Sequence, residues 1–179
     1  MIRLVERIGS VLGRIEGGLT GIADLFLVLL LILINVEVVA RYGFNTSTLI
    51  ADEYGGYLFV WITMLGALHL LRSDKYLMMT WLVDKLGPRP RNTIAIVSAV
   101  IGLAVSLVSL YATVVLVHTA WRFGTVSIQP SATPIVWPQL VMPFGYLVLV
   151  VAYVEEILRR GLGLAPRRDR DDIVRGGLD

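Results

Sequence analysis

The charged residues best placed for ion pairing stand close to the ends of apolar stretches. Glu37 precedes Arg41 by four residues, the spacing at which side chains of opposite charge meet on a helix. Asp52 and Glu53 follow after a short polar segment. There, their negative charges can interact favourably with the positive end of the dipole of the second helix, or they can pair with Arg41. We interpret Glu37 and Arg41 as a structural ion pair, with a contact to another subunit as the alternative. Loss of Arg41 is then expected to leave one or more carboxylates unpaired.

Residue types suited to catalysis or metal binding are few. The sequence has no cysteine, so disulfides, iron–sulfur clusters and thiol catalysis are excluded. The two histidines, His69 and His118, invite the hypothesis of a haem held between helices. Each lies at the C-terminal end of an apolar stretch, and consecutive membrane spans run in opposite directions, so the two rings would fall on opposite sides of a membrane. No pattern indicates a nucleophile beside a base or a cluster of metal ligands, and we predict that the chain is not an enzyme and holds no cofactor or metal.

The elements that must position these residues are four apolar runs. With 56% hydrophobic residues in a chain of 179 and a mean hydropathy of +0.74, the composition is that of a polytopic membrane protein. An α-helix of roughly 20 residues crosses a bilayer, and runs of about that length lie at 22–40, 54–71, 94–118 and 135–154. The predicted fold class is an all-α membrane protein with four transmembrane helices in a single domain, residues 1–157. Residues 158–179, rich in Gly, Pro, Arg and Asp, are predicted to form a disordered cytoplasmic tail.

The basic residues predict the orientation of the spans. Apart from Arg41 and Arg122, all of the 16 lysines and arginines lie in the N-terminus, the loop between the second and third runs, or the tail. By the positive-inside rule, both termini are cytoplasmic and the loops after the first and third runs face outward. Because the basic residues flank spans on one side, anionic lipid explains the sequence pI of about 9.1 better than nucleic acid does. We predict no nucleic-acid partner.

Two amphipathic helices are predicted at the cytoplasmic surface. In residues 1–20, apolar side chains recur at intervals of three and four, with the arginines elsewhere, which is the pattern of a helix on a membrane surface. A plain topogenic leader is the alternative. A shorter helix is predicted in the middle cytoplasmic loop, with an apolar face that includes Leu77, Met78, Trp81 and Leu82. Membrane lipid is therefore an expected partner.

Small residues predict close helix contacts, either within the four-helix unit or against another protein. They recur at helical spacing in the third run and also occur in the second, at Ser98, Gly102, Ser106 and Ser109 and at Gly55 and Gly66. Prolines predict an irregular entry to the fourth run. In particular, Pro143 lies inside that run and must free a carbonyl near Gln139.

A series of short motifs resembles one family. The motifs are, in order, Arg41-Tyr42-Gly43-Phe44-Asn45, Asp52-Glu53, Leu58-Phe59-Val60-Trp61, Leu65-Gly66-Ala67, Val83-Asp84, Gln129-Pro130-Ser131, Pro134 to Trp137, and Pro143-Phe144-Gly145. Over about residues 20–157, their order and spacing resemble the small membrane subunit of tripartite ATP-independent periplasmic (TRAP) transporters. The chain departs from the family at Asp52, where Glu is common, and at Ser73-Asp74-Lys75-Tyr76, where the family has a Gly-Glu-His type of turn.

The resemblance implies a two-part permease in the bacterial inner membrane. A large multi-span subunit would carry the substrate and sodium sites and move by an elevator mechanism, and the small subunit would enlarge its fixed scaffold. A periplasmic solute-binding protein would deliver the substrate, usually an organic acid with a carboxylate. The large permease subunit and the solute-binding protein are thus the expected protein partners.

Two other functions fit the residues. A small homodimeric exporter with four spans per chain would use a carboxylate in its first helix, and Asp24 or Glu37 could serve. A membrane anchor of a redox enzyme would need the haem ligands considered above. Transporters that work alone usually have a polar site near the midplane, but the middles of the second, third and fourth runs hold only Ser, Thr, Gly and apolar residues. This composition favours the scaffold subunit.

Overall fold

The computed structural model of this chain describes residues 2–73 and 88–164. In these residues the helices are α1 (Ile2–Gly43), α2 (Ile50–Arg72), α3 (Pro88–Phe123), α4 (Val136–Gln139) and α5 (Val141–Gly161). Four segments are long and apolar enough to cross a membrane, with α4 and α5 together forming the fourth. The prediction of an all-helical protein with four spans is confirmed for this part of the chain.

Helix α1 is longer than the sequence pattern predicts. It runs without interruption for 42 residues, about 63 Å at 1.5 Å per residue, so the predicted surface helix and the first span are one element. Leu12, on the apolar face of the predicted surface helix, is buried in a cluster with Leu68, Leu71 and Ala152. A single helix packed into the bundle therefore replaces the separate surface helix, and contact of its first residues with lipid headgroups stays a prediction.

The long helices pack in a row rather than in a square. Helix α1 packs mainly on α2, α2 on α5, and α5 on α3, while α1 touches α5 over a smaller area. A second buried cluster, formed by Ala23, Leu65 and Val141, joins α1, α2 and α5 nearer the other end of the bundle. Because α3 has one main neighbour, most of its apolar surface lies outside the described contacts.

The break before α5 follows the predicted proline pattern. Leu140 separates α4 from α5, and Pro143 has no N–H to donate to the carbonyl four residues before it. Next to the break, the indole Nε1 of Trp61 donates to the carbonyl oxygen of Pro138 at 3.2 Å. The same indole meets the ring of Phe26 edge to face, with 5.6 Å between centroids. Trp61 thus ties the irregular segment to α1 and α2.

Small residues lie at two close helix contacts. At Gly102 of α3 a methyl group would overlap the ring of Tyr153 on α5, and at Gly145 of α5 it would lie 3.0 Å from the Cβ of Met64 on α2. Ser106 is buried, whereas Ser98 and Ser109 are half-buried. A methyl group at Gly55 would meet Leu30 at an ordinary 3.7 Å, and one at Gly66 would meet nothing within 4 Å. The described contacts therefore give Gly66 no packing role, and the packing role of Gly145, which the sequence shows only as part of a motif, was not predicted.

The predicted cytoplasmic elements are described only in part. Helix α5 continues to Gly161, so the first four residues of the predicted tail, 158–161, are helical. Residues 165–179 of that tail lie outside the described residues. The predicted helix of the middle loop, with Leu77, Met78, Trp81 and Leu82, lies outside them too.

Candidate functional site

Glu37 is the centre of a polar cluster at the C-terminal end of α1. Its Oε1 accepts a hydrogen bond from Ser47 Oγ at 2.7 Å and lies 3.0 Å from a guanidinium nitrogen of Arg41. Its Oε2 accepts from the backbone N–H of Thr48 at 3.1 Å and from the hydroxyl of the same residue. The predicted pair with Arg41 is therefore present, but it is one of four contacts to a carboxylate that is only 7% exposed.

These contacts hold the turn between α1 and α2. Leu49, the residue before α2, has a φ of 57°, a left-handed backbone that costs a non-glycine residue roughly 1–2 kcal/mol. Hydrogen bonds that involve a charged group contribute about 1.5–3 kcal/mol each. The carboxylate of Glu37 binds the residue next to Leu49 and can therefore stabilise this conformation.

Glu53 plays the corresponding part at the N-terminal end of α2. Its carboxylate, also 7% exposed, accepts hydrogen bonds from Tyr57 at 2.9 Å and from the hydroxyl of Ser131 in the loop between α3 and α4. In the same loop, Thr133 bonds the hydroxyl of Tyr54 at 2.9 Å. The loop contains Ala132 with a φ of 46°, so here too a buried carboxylate holds a loop with a left-handed residue.

Asp52 differs from its neighbour Glu53. It is exposed, and no ion pair joins it to Arg41 among the described residues. The side chains of Asp52 and Arg41 both line an open groove of about 280 Å³ between the facing ends of α1 and α2. Of the two interactions predicted for the acidic pair, an ion pair with Arg41 is thus absent from the described contacts, and Arg41 has the other predicted partner, Glu37.

The opposite end of α2 carries a second polar cluster, which the sequence analysis missed. The Nε of Arg72 and the Nδ1 of His69 lie 2.7 Å and 3.0 Å, respectively, from carboxylate oxygens of Glu16 on α1. Arg72 also donates to the carbonyl oxygen of Gly9 at 3.2 Å, and its guanidinium lies 3.4 Å from where a methyl group at Gly13 would stand. Gly9 and Gly13 lie one turn apart on the face of α1 that carries Glu16, so the guanidinium packs along this face.

Ion pairs within one helix also lie at this end. On α5, Glu155 lies 3.8 Å from Arg159, and Glu156 pairs with Arg160. Both pairs have the i, i+4 spacing, and Glu155 is only 3% exposed. The sequence contains both patterns, but the predicted boundary at residues 157 and 158 separates the two glutamates from Arg159 and Arg160.

Between the two ends, polar side chains bond their own helices. Asn35 donates to the carbonyl of Leu31 at 2.7 Å, Thr63 to that of Phe59 at 2.8 Å, and Thr113 to that of Ser109 at 2.8 Å. Within residues 2–73 and 88–164, no three His, Asp or Glu side chains stand close enough to hold a metal ion. Most charged groups of the described helices thus lie near the two ends, where several of them support local structure, and Asp24 on α1 is an exposed exception.

Comparison with known proteins identifies the family. Residues 30–162 of the 179 match the model of the DctQ component of tripartite ATP-independent periplasmic transporters. The chain belongs to this family. The resemblance read from the motifs is confirmed, and the DctQ component described here is a subunit of a TRAP transporter and a multi-pass inner-membrane protein.

One curated relative matches a shorter stretch of this DctQ component. It is a protein of Haemophilus influenzae named "Putative TRAP transporter small permease protein", which is 42% identical over 62 residues. These residues make up 35% of the present chain and 38% of the relative. The match thus spans about two fifths of the length of that relative.

Proposed function

We propose that this DctQ component is the non-catalytic scaffold of a sodium-coupled secondary transporter that imports organic acids. A large permease subunit would carry the substrate and sodium sites, and a periplasmic solute-binding protein would deliver the substrate. The observation that carries the proposal is the distribution of polar groups. Most of those on the described helices bond within the chain at its two ends or to their own helix backbone, whereas the outer faces of α1 and α3 are largely apolar and exposed, with Asp24 and Asn35 as exposed polar groups on α1.

One face of α1 supports contact with the large permease subunit. Val28, Ile32 and Val39 are 52%, 54% and 59% exposed on α1, and the exposed amide of Asn35 stands among them at helical spacing. The amide nitrogen bonds Leu31, but an amide facing hydrocarbon is costly, so polar groups in a span usually face protein. We therefore assign this face of α1 to the interface with the permease.

The test of this interface is a bulky substitution on the exposed face, where it does not disturb the chain's own packing. Ile32→Trp and Asn35→Leu should each lower the amount of large subunit that copurifies with the small subunit several-fold. The matched control is Val108→Trp on α3, at a position 70% exposed, which should leave copurification unchanged. Full copurification of the Ile32→Trp variant would reject the α1 interface.

The scaffold role itself is tested by uptake in proteoliposomes, normalised to the amount of intact complex. Variants of Arg41, Asp52 and Glu53 should leave the substrate and sodium dependence of the surviving complex unchanged. A tenfold shift in either, about 1.4 kcal/mol, would mean that this subunit takes part in transport directly. Uptake by the small subunit without the permease would instead support an exporter.

The proposed orientation in the membrane is tested with reporter fusions. With both termini cytoplasmic, reporter fusions after Thr46 and after Ser131 should report the periplasm, and a fusion after Asp179 should report the cytoplasm. A C-terminal fusion that reports the periplasm would reject the four-span topology.

A further inference from the structure

A groove between α1 and α5 is not used by any contact described so far. It has a volume of about 380 Å³ and is lined by Ile8, Val11 and Ile15 on α1, by Leu147 and Val151 on α5, and by Arg7 at one end. From Ile15 to Arg7 the axis of α1 rises about 12 Å. The groove is thus an apolar slot that ends at a single cation.

The inner wall of the slot faces the core of the bundle. Val148, which also lines it, packs against the buried cluster of Leu12, Leu68, Leu71 and Ala152. The walls face outward, since Val11 is 52% and Leu147 is 50% exposed. A guest can therefore enter from the side of the bundle with its apolar part toward α5 and its polar part toward Arg7.

Arg7 is suited to an anionic guest. Its side chain is exposed, and no ion pair to it is present in the part of the chain that the structure describes. It stands at the end of the bundle that also carries Arg3, Arg14, Arg159 and Arg160. Basic positions between helices at this side of a membrane protein attract anionic lipid headgroups.

The shape of the slot selects the kind of guest. A helix with its side chains is about 10–12 Å across, too wide for 380 Å³, and an extended peptide would bring backbone N–H and C=O groups that the apolar walls cannot bond. A lipid acyl chain has neither problem. We propose that the groove binds one acyl chain of an anionic phospholipid, with the lipid phosphate paired to Arg7.

The experiment is native mass spectrometry of the delipidated full-length chain in detergent, titrated with phosphatidylglycerol or with phosphatidylcholine. The wild-type chain should retain one phosphatidylglycerol at a concentration at least fivefold lower than it needs for phosphatidylcholine. Arg7→Gln should bind the two lipids equally. Val11→Trp combined with Val151→Trp should fill the slot and abolish the tight site, while helicity by circular dichroism stays unchanged.

Two controls keep the outcome specific to the groove. Arg3→Gln removes an exposed cation outside the lining, and Val108→Trp adds a bulky group to α3; both should bind phosphatidylglycerol as the wild type does. Equal binding of the two lipids by the wild type, or unchanged binding by the filled variant, would overturn the proposal. A doubled protein mass that only the filled variant loses would identify a second copy of the chain as the occupant and overturn it as well.

Discussion

The two ends of the bundle use carboxylates in different ways. At the end where α1 stops and α2 begins, called the outer end because the proposed orientation places it in the periplasm, Glu37 and Glu53 are bonded mainly by hydroxyl and backbone donors. At the opposite end, called the inner end because the same proposal places it on the cytoplasmic side, Glu16 meets the guanidinium of Arg72 directly, and the pair joins two helices. The outer carboxylates therefore fix loops to helix ends, whereas the inner one fixes a helix to a helix. We therefore predict that removing one charge lowers stability more at the inner end, because Glu16 and Arg72 each neutralise the charge of the other.

The largest effect is expected for Glu16→Ala. The Arg72 side chain is only 11% exposed, and a mostly buried cation that loses its carboxylate costs about 3–5 kcal/mol. The free energy of unfolding, measured by denaturant titration in micelles with far-ultraviolet circular dichroism, should fall by that amount. Glu6→Ala changes an exposed carboxylate on the same helix and is the control. Equal losses for the two variants would contradict the distinction between the ends.

At the outer end, Glu53→Ala should cost roughly 2–3 kcal/mol, because two hydroxyl donors lose a charged acceptor. The loss should appear locally as faster hydrogen exchange of Ser127 and Ile135, whose amides bond Thr133 and Thr125 across the loop. Asp52→Asn is the matched control, since its side chain is exposed, and should change stability by less than about 0.5 kcal/mol. If Asp52→Asn speeds exchange as much as Glu53→Ala, the anchoring role of Glu53 is wrong.

Two glycine substitutions test the contact between α3 and α5, which lies between the two ends. Gly102→Ala should overpack the contact with Tyr153 and cost about 1–3 kcal/mol. Gly66→Ala meets nothing within 4 Å, and its higher helix propensity should stabilise the protein by about 0.5–1 kcal/mol. Thermal unfolding of the two variants gives the sign of each change. A stabilised Gly102→Ala would show that the α3–α5 contact adapts freely.

The smallest effect is expected for Arg41→Ala, against the expectation from sequence. Its side chain is 52% exposed, and a surface pair contributes about 0–1 kcal/mol. Glu37 keeps the donors of Ser47 and Thr48 when Arg41 is removed. Thr48→Val should therefore destabilise more than Arg41→Ala in the same denaturant titration. The reverse order would restore the ion pair as the main support of this turn.

The sequence predicts what depends on neighbours along the chain. The pair of Glu37 with Arg41 has a local spacing, and Pro138 and Pro143 mark the break before α5, so both could be read without a structure. Apolar length predicts the four spans because the bilayer imposes the same requirement on each helix. The uninterrupted α1 was missed because residues 1–20 satisfy the pattern of a surface helix and of a bundle helix equally well.

Contacts between distant segments could not be read from one sequence. Glu53 and Ser131 are joined by the loop after α3, and Glu16 and Arg72 are joined by the packing of α1 on α2. Polar residues near span ends mark candidates, but the rotation of each helix decides which of them meet. The same rotation places Tyr153 on Gly102 and leaves Gly66 open.

Helix α1 carries one carboxylate of each polar cluster, so its length sets the distance between the two clusters. Glu16 and Glu37 are 21 positions apart on one unbroken helix, about 32 Å along its axis. The slot from Ile8 to Ile15 adds apolar surface beyond Glu16, so the apolar part of α1 is longer than a hydrocarbon layer of ~30 Å. Because α1 is unbroken, a tilt of the whole helix is the expected way to fit this length into a bilayer.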